Sequence, residues 1–437
     1  MSSFEAQQIA RGQRLRRLQH RLLWWVVGLL VVGGCTIWVL RVFFDVAPNP
    51  PRATTDSSPS TGPHTWAQFR RTPQNTGFTS DAAPYPHHVR WTFHSNKPLH
   101  ASPAIVGQHV YLATEDGRAV ALDRHTGQLI WAYRTGWISS STPAVVGDAV
   151  IIAIRPGSVF SLNRHTGALR WKTDLQHPFF ALASPLVAHG SVYIGAEDGK
   201  LHALDVATGQ PRWAFATKNW ILSTAAYTED RVFVVSQDTL VYVIGADTGR
   251  RRFIYPTGRG RHLTASPAIK GERAYIGSTG GRISAMAWRH KTYPWDSKLR
   301  LWKSRLFLWG MLSSPPEQKG RVWSTRLGAD VTHTPAIAGQ SVYVATIQGK
   351  VVALEMETGT VQWVSDLGID ITSAPIVAGQ TILVGTVDGR VIALGIHSGK
   401  QLWVFKTSGK ITGSPVVVGN TMYVVSHDGT LYAVTGA

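Results

Sequence analysis

Apolar residues fall in two patterns along this chain. The first is one unbroken run, Leu22 to Leu40, which carries no charge. Nineteen residues at a helical rise of about 1.5 Å each nearly cover a ~30 Å hydrocarbon core, so the run predicts a membrane-spanning helix. The second pattern starts near residue 88 and continues to the last residue. Short runs of three to six residues alternate apolar with small or polar, broken by Gly, Asp-Gly or Thr-Gly. Period-two alternation between turn signals predicts short, half-buried strands. One stretch parses as strands Ala104–Val106, Val110–Ala113, Ala119–Leu122 and Leu129–Arg134, with turns at Gly107, Asp116-Gly117 and Thr126-Gly127.

That sentence of four strands is repeated. A Ser/Thr/Ala-Pro step or its equivalent opens each copy, at Ser102, Thr142, Ser184, Thr224, Ser266, Thr334, Ala374 and Ser414. The steps lie about 40 residues apart with one exception. Four antiparallel strands per repeat predict a β-propeller. The eighth copy carries three strands and lacks a fourth. An orphan strand, His88–His94, precedes the first copy. Pairing the two would complete an eighth blade and remove the exposed edges. The predicted fold is all-β: an eight-bladed propeller of four-stranded antiparallel blades, closed by an N-terminal strand and preceded by one transmembrane helix.

A tryptophan closes most copies: Trp91, Trp131, Trp171, Trp213, Trp323, Trp363 and Trp403, with Phe253 in the remaining slot. In five copies an acidic, amide or serine turn precedes it, as in Asp123…Thr126-Gly127…Trp131. Glycine suits the left-handed turn position, and the indole suits the wedge between blades. These repeats resemble the tryptophan-docking motif of the pyrroloquinoline-quinone (PQQ) propeller family. Trp66-Ala67-Gln68-Phe69-Arg70, followed by Thr76-Gly77, is similar to the lead-in before such propellers. The resemblance implies either a quinoprotein dehydrogenase or a cofactor-free scaffold of the BamB type, to which this chain is closest in character. The family's enzymes carry a vicinal Cys pair, Ca²⁺ ligands and an Asp base. Cys35 is the one cysteine here, so no vicinal pair exists. The expectation is therefore a non-catalytic protein without cofactor or metal. A degenerate quinoprotein or redox-sensor ectodomain, with PQQ and calcium, is the alternative.

Charge then assigns the ends. Arg11, Arg14, Arg16, Arg17 and Arg21 precede the apolar run against Glu5 alone. The positive-inside rule makes residues 1–21 a cytoplasmic leader and 22–44 a signal-anchor, with residues 45–65 a Pro/Ser/Thr-rich tether. The propeller, 66–437, is expected outside the cytoplasm on the inner membrane. A lipobox-like Val32-Gly33-Gly34-Cys35 offers lipidation at Cys35 instead. A domain so placed is expected to bind no nucleic acid and to be monomeric.

Two sets of residues are candidate contacts. The loops from each fourth strand to the next step converge on the axis and carry His100, Trp137, Lys218, Trp220, Arg259, Arg261, His262, His333 and Lys410. They form a basic, aromatic funnel suited to an anionic glycan, polymer or acidic peptide. The second set is an insertion at about 288–320, in the third-to-fourth-strand turn of the fifth copy. Trp288, Trp295, Trp302 and Trp309 stand seven apart there. Eight cations from Arg289 to Arg321, among them Arg300, Lys303 and Arg305, face two carboxylates, Asp296 and Glu317. Leu299, Trp302, Leu306 and Trp309 follow a 3-4 spacing that predicts a helix within Ser297–Leu312 with an apolar face and a basic edge. Such a helix suits an anionic membrane surface or a groove on an envelope protein. The expected function is a membrane-anchored scaffold that binds envelope proteins or polymers.

Overall fold

In the computed structural model, residues 24–36, 62, 64–86, 88–175, 183–257 and 264–436 are described. Two compact units divide the chain, residues 1–50 with Tyr293–Trp295, and the remainder. In the smaller unit, residues 24–36 are helical and Cys35 is exposed. Among the described residues no helix is long and apolar enough to cross a membrane. This overturns the expected single-pass anchor over 22–44. Residues 1–23 and 37–61, which hold the basic leader and most of the tether, lie outside the described residues.

The larger unit is the propeller. Eight four-stranded antiparallel sheets follow one another, from Ala104–Arg134 in the first blade to Gln401–Lys406 in the seventh. His88–His94 pairs antiparallel with Thr430–Thr435 and completes the eighth blade. On the closing strand Trp91 is buried between exposed neighbours, whereas Thr430–Thr435 is almost wholly buried.

Six of the blades are pinned to the next by a tryptophan. The indole Nε1 of Trp91 donates to Arg124 O at 3.0 Å, and that of Trp131 to Arg164 O at 2.9 Å. Trp171, Trp213, Trp323 and Trp363 make the same bond to Val206, Ala246, Met356 and Ile396. The ring lies flat over a glycine in the next blade's turn. A Cβ on Gly359 would stand 2.4 Å from the Trp323 ring, and one on Gly127 2.6 Å from Trp91. That glycine is thus needed twice, for its positive φ and for its missing side chain. Phe253 takes the same place over Gly320.

The inner strands present a row of free N–H groups to the axis. Residues 66–81 run round the channel and meet them in chain order. The middle residue of the first seven inner strands donates its N–H in turn: Ile105 to Trp66 O, Val145 to Ala67 O, Val187 to Gln68 Oε1, Tyr227 to Pro73 O, Ile269 to Gln74 O, Ile337 to Thr76 O and Val377 to Gly77 O, all at 2.7–3.1 Å. Phe78–Thr79 then pairs parallel with Ile376–Ala378. In the eighth blade, Gly419 N donates to the Asp81 carboxylate at 2.7 Å. Side chains from the same segment reach the step carbonyls. Asn75 Nδ2 donates to Ala225 O and Pro267 O, and the Arg70 guanidinium donates to Pro335 O and Pro375 O.

The indole docking separates two kinds of glycine. Gly107 (φ +60°) has nothing within 4 Å of a built Cβ, whereas Gly359 (φ +72°) has the Trp323 ring. Gly107→Ala is expected to cost about 1 kcal/mol for φ alone, and Gly359→Ala about 2–4 kcal/mol because overpacking is added. Urea denaturation of both variants reads the difference; equal costs would remove the indole from the account.

Candidate functional site

Strand direction sorts the loops. The fourth-to-first connections and the second-to-third turns share one face of the ring; the first-to-second and third-to-fourth turns share the other. On the first face four successive steps are tied to the next through a hydroxyl. Thr142 N donates to Ser184 Oγ, Ser184 N to Thr224 Oγ1, Thr224 N to Ser266 Oγ and Ser266 N to Thr334 Oγ1, at 2.9–3.2 Å. Ala374 ends this series because it has no hydroxyl. Apolar anchors hold the axial loops down: Leu99, Ile221, Val331, Ile371 and Ile411 are all buried.

The funnel residues do not converge on one pocket. Trp137 and Trp220 are 61% and 47% exposed at separate positions on the ring, and Lys218 and Lys410 are also exposed. Lys218 N donates to the Asp238 carboxylate, which also accepts from Tyr242 Oη at 2.6 Å. Arg259, Arg261 and His262 lie outside the described residues. His333 sits deeper, with Nε2 3.1 Å from Ile371 O. Burial pushes its pKa below 6.5, and the nearby Arg70 charge adds to this. Arg70 is itself lowered to about 9, wholly by burial.

His100 has partners that the loop pattern did not reveal. Its ring stands edge-on to His427 at 4.9 Å, its Nε2 is 3.5 Å from Glu115 and its Nδ1 is 3.1 Å from Thr412 Oγ1. Burial lowers its pKa most; Glu115 opposes this, while His427, Lys410 and Arg155 add to it. Glu115 and His427 each directly precede an Asp-Gly turn. The second-to-third turns share the axial-loop face, so this position could have been read as a lining one.

The insertion is anchored at its base. Trp288 is buried edge-on to Phe233 at 5.5 Å, and its Nε1 donates to Gly271 O. Arg289 pairs with Glu229 at 2.7 Å and Glu272 at 3.2 Å. Thr292 Oγ1 accepts from Ile254 N, so this stalk runs beside the outer strand of the fourth blade. Trp295 stacks on Tyr293 with ring centres 5.4 Å apart. Beyond lies the helix Asp296–Leu308, which has no buried residue. Trp302 and Trp309 are 57% and 67% exposed, and Arg300, Lys303 and Arg305 are exposed with them. At about 100° per residue, Leu299, Trp302, Leu306 and Trp309 form one stripe. Lys303 flanks it on one side, Lys298 and Arg305 on the other. Leu301 and Leu308 lie on the opposite side, so the apolar surface is wider than a single stripe.

A family model described as outer membrane protein assembly factor BamB matches residues 86–181, 155–290 and 314–437. The chain belongs to the BamB family. The matched ranges skip 291–313, which holds the whole inserted helix. A BamB from Shewanella oneidensis is 26% identical over 189 residues, 40% of this chain and 41% of its own length. The chain spans less than two thirds of the length of the curated BamB relatives it matches. Among solved structures, BamB from Moraxella catarrhalis superposes with a TM-score of 0.64 at 20% identity, over 79% of this chain and 96% of that one. A quinohemoprotein alcohol dehydrogenase from Comamonas testosteroni gives 0.67 at 13% identity, over 86% and 81%. At these identities the two likenesses establish the fold. The relatives are named for the outer membrane, which again runs against the expected inner-membrane placement.

The quinoprotein branch implies PQQ and calcium, and the residues present do not fit them. Among the described residues no three His, Cys, Asp or Glu side chains gather to hold a metal. Cys35 is in the other unit, and the channel at the level of the inner strands is filled by residues 66–81.

The lowered pKa of His333 sets the sign of an acid effect. The native state favours the neutral ring, so its contribution is complete above pH 6.5 and is lost as pH falls toward the depressed folded value. The thermal midpoint is expected to fall between pH 7 and 5, and less steeply in His333→Gln. An unchanged slope in the variant would place the acid sensitivity elsewhere.

Proposed function

We propose that the protein is a non-catalytic propeller scaffold in outer-membrane protein assembly, holding partner proteins against its axial-loop face. The observation that carries this reading is the filled axis. Residues 66–81 take up the inner-strand N–H groups, so the chain's own backbone occupies the channel where a propeller enzyme would need room. That face also carries exposed Trp137, Trp220, Lys218 and Lys410, spread round the rim. Tryptophans set in a polar rim are typical anchors of protein interfaces. Membership of the BamB family supports the assembly context.

Photocrosslinking of the full-length protein in native envelopes tests this. Truncating an anchor tryptophan costs about 2 kcal/mol or more, so Trp137→Ala and Trp220→Ala should lower partner yield roughly 30-fold. Yields equal to wild type would move the partner off this face. Incubation with PQQ and Ca²⁺ is the counter-test: a quinone absorbance band retained through gel filtration would overturn the scaffold reading.

The helix Asp296–Leu308 supports a second contact, with an anionic lipid surface. Its tryptophan stripe is edged by cations on both sides, an arrangement that suits head groups better than a one-sided protein groove. Flotation with vesicles containing phosphatidylglycerol should carry the full chain, and neutral phosphatidylcholine vesicles should not. Each of Lys303→Gln and Arg305→Gln is expected to weaken binding roughly fivefold. Unchanged flotation of Trp302→Ser/Trp309→Ser would end the lipid reading and leave the helix to a protein partner.

A further inference from the structure

The repeats act as controls for one another, and the fifth blade departs from three that share one charge pairing. In three copies the third strand starts with a cation that a turn aspartate neutralises. Asp116 pairs with Arg118, Asp198 with Lys200 and Asp388 with Arg390. In the seventh blade, Asp388 also accepts from Thr386 Oγ1 at 2.6 Å, and Thr386 Oγ1 donates to Arg390 O. The fifth blade keeps the hydroxyl and the cation: Ser278 Oγ donates to Arg282 O at 3.2 Å. At the aspartate position it has Gly280. Arg282 has lost its carboxylate.

Its cross-strand partner compounds the loss. Arg282 stands directly opposite Arg326 in the ladder, and Ser284 opposite Ser324. Like charges directly opposed in a sheet are unfavourable. The sixth blade resolves the same pair as Lys350 against Asp366. Arg321 opens the strand that Arg326 ends, and among the described residues none of the three arginines forms an ion pair with a carboxylate. All three line a cavity of about 360 Å³ between the fourth and fifth blades, whose lining contains no acidic residue. Its floor is hydroxylic. Ser278, Ser284 and Tyr255 are buried there, and the Ser284 and Ser324 hydroxyls are 3.0 Å apart. Burial raises the Tyr255 phenol pKa while Arg321, Ser284 and Arg282 oppose that, so the phenol stays protonated as a donor. The insertion supplies Gln318, which also bonds Pro256 O at 2.5 Å and so ties this wall of the cavity to the fourth blade.

We propose that this cavity is a binding site for a phosphorylated sugar-like group, with Arg282, Arg321 and Arg326 taking the phosphate and the hydroxyl floor taking the sugar. Planar guanidiniums match phosphate oxygens in pairs, and an anion between Arg282 and Arg326 turns a repulsive pair into a bridged one. The volume is at the small end of ligand sites, which suits one sugar ring and not a polymer chain. The site uses neither the axial funnel nor the inserted helix.

Calorimetric titration of the full chain with glucose 6-phosphate, inorganic phosphate and glucose tests the proposal. Glucose 6-phosphate is expected to bind more tightly than phosphate, and glucose not to bind. Arg326→Gln should weaken glucose 6-phosphate about 10- to 100-fold, the loss of charge-assisted bonds. Without ligand the same variant should be no less thermally stable than wild type, because a repulsion is removed. Gly280→Asp, which restores the carboxylate of those three blades, should abolish binding and leave the fold intact by circular dichroism. Three results would overturn the proposal: glucose 6-phosphate binding no tighter than phosphate, glucose binding as tightly as its phosphate, or Gly280→Asp binding unchanged.

Discussion

The propeller depends on what becomes of the inner-strand edges. A blade hides its outer edge in solvent and its faces against neighbours, but its first strand points a bare N–H at the axis. Buried backbone donors left unpaired are costly. Here a single segment answers seven of them in sequence order, and its carbonyl spacing therefore has to match the angular step between blades. The segment makes up the mismatch with left-handed residues: Arg70, Arg71 and Asn75 all have positive φ. Gly77 must be bare because the Arg70 guanidinium fills the space of its Cβ. A charged side chain with no carboxylate is held there by two proline-step carbonyls, and burial alone accounts for its lowered pKa. The axis of this fold is thus a structural seam.

Most of the fold was legible because its signals are local and repeated. Asp-Gly and Thr-Gly turns set hairpin register within each copy, and the missing fourth strand of the last copy pointed to His88–His94 as its partner. Trp66 to Gly77 was legible only as a lead-in. Its path depends on hydrogen bonds to residues as far as 300 positions away, such as Gly77 O with Val377 N, and no periodicity encodes these. The 22–40 run misled for the opposite reason. Length and hydropathy are a local signal for a span, but the described helix there covers 24–36 only.

The site was less legible than the fold. Reading the fourth-to-first loops alone found His100 and His333 but missed His427, Glu115 and Arg155, which reach the same face from second-to-third turns. It grouped His333 with exposed funnel residues such as Trp137, whereas His333 is half-buried near the Arg70 charge. Sequence position along a loop does not separate a residue that points into the ring from one that points out of it. Tryptophan number misled in one case: Trp288 belongs to the seven-residue series of the insertion, yet it is a core side chain against Phe233.

The departures from the repeat cluster at one junction, and the physics of repeat arrays explains why they can. Each blade contacts only its neighbours, so a change between two blades strains no others. Between the fourth and fifth blades, Phe253 replaces the docking tryptophan, Gly280 replaces the turn aspartate, and the insertion replaces a short turn. The replacements are coupled in space. The insertion's second stalk supplies Gly320 beneath Phe253 and Gln318 to the cavity wall, while its first stalk buries Trp288 against Phe233. A smaller ring at position 253 leaves room that a full indole would take, and Trp288 recovers part of the lost apolar contact from another direction. The junction therefore keeps its packing while giving up the repeat's electrostatic balance. That combination is hard to account for as drift in a wedge whose only task is to hold two blades together, since a carboxylate at position 280, as at 116, 198 and 388, would relieve the opposed arginines.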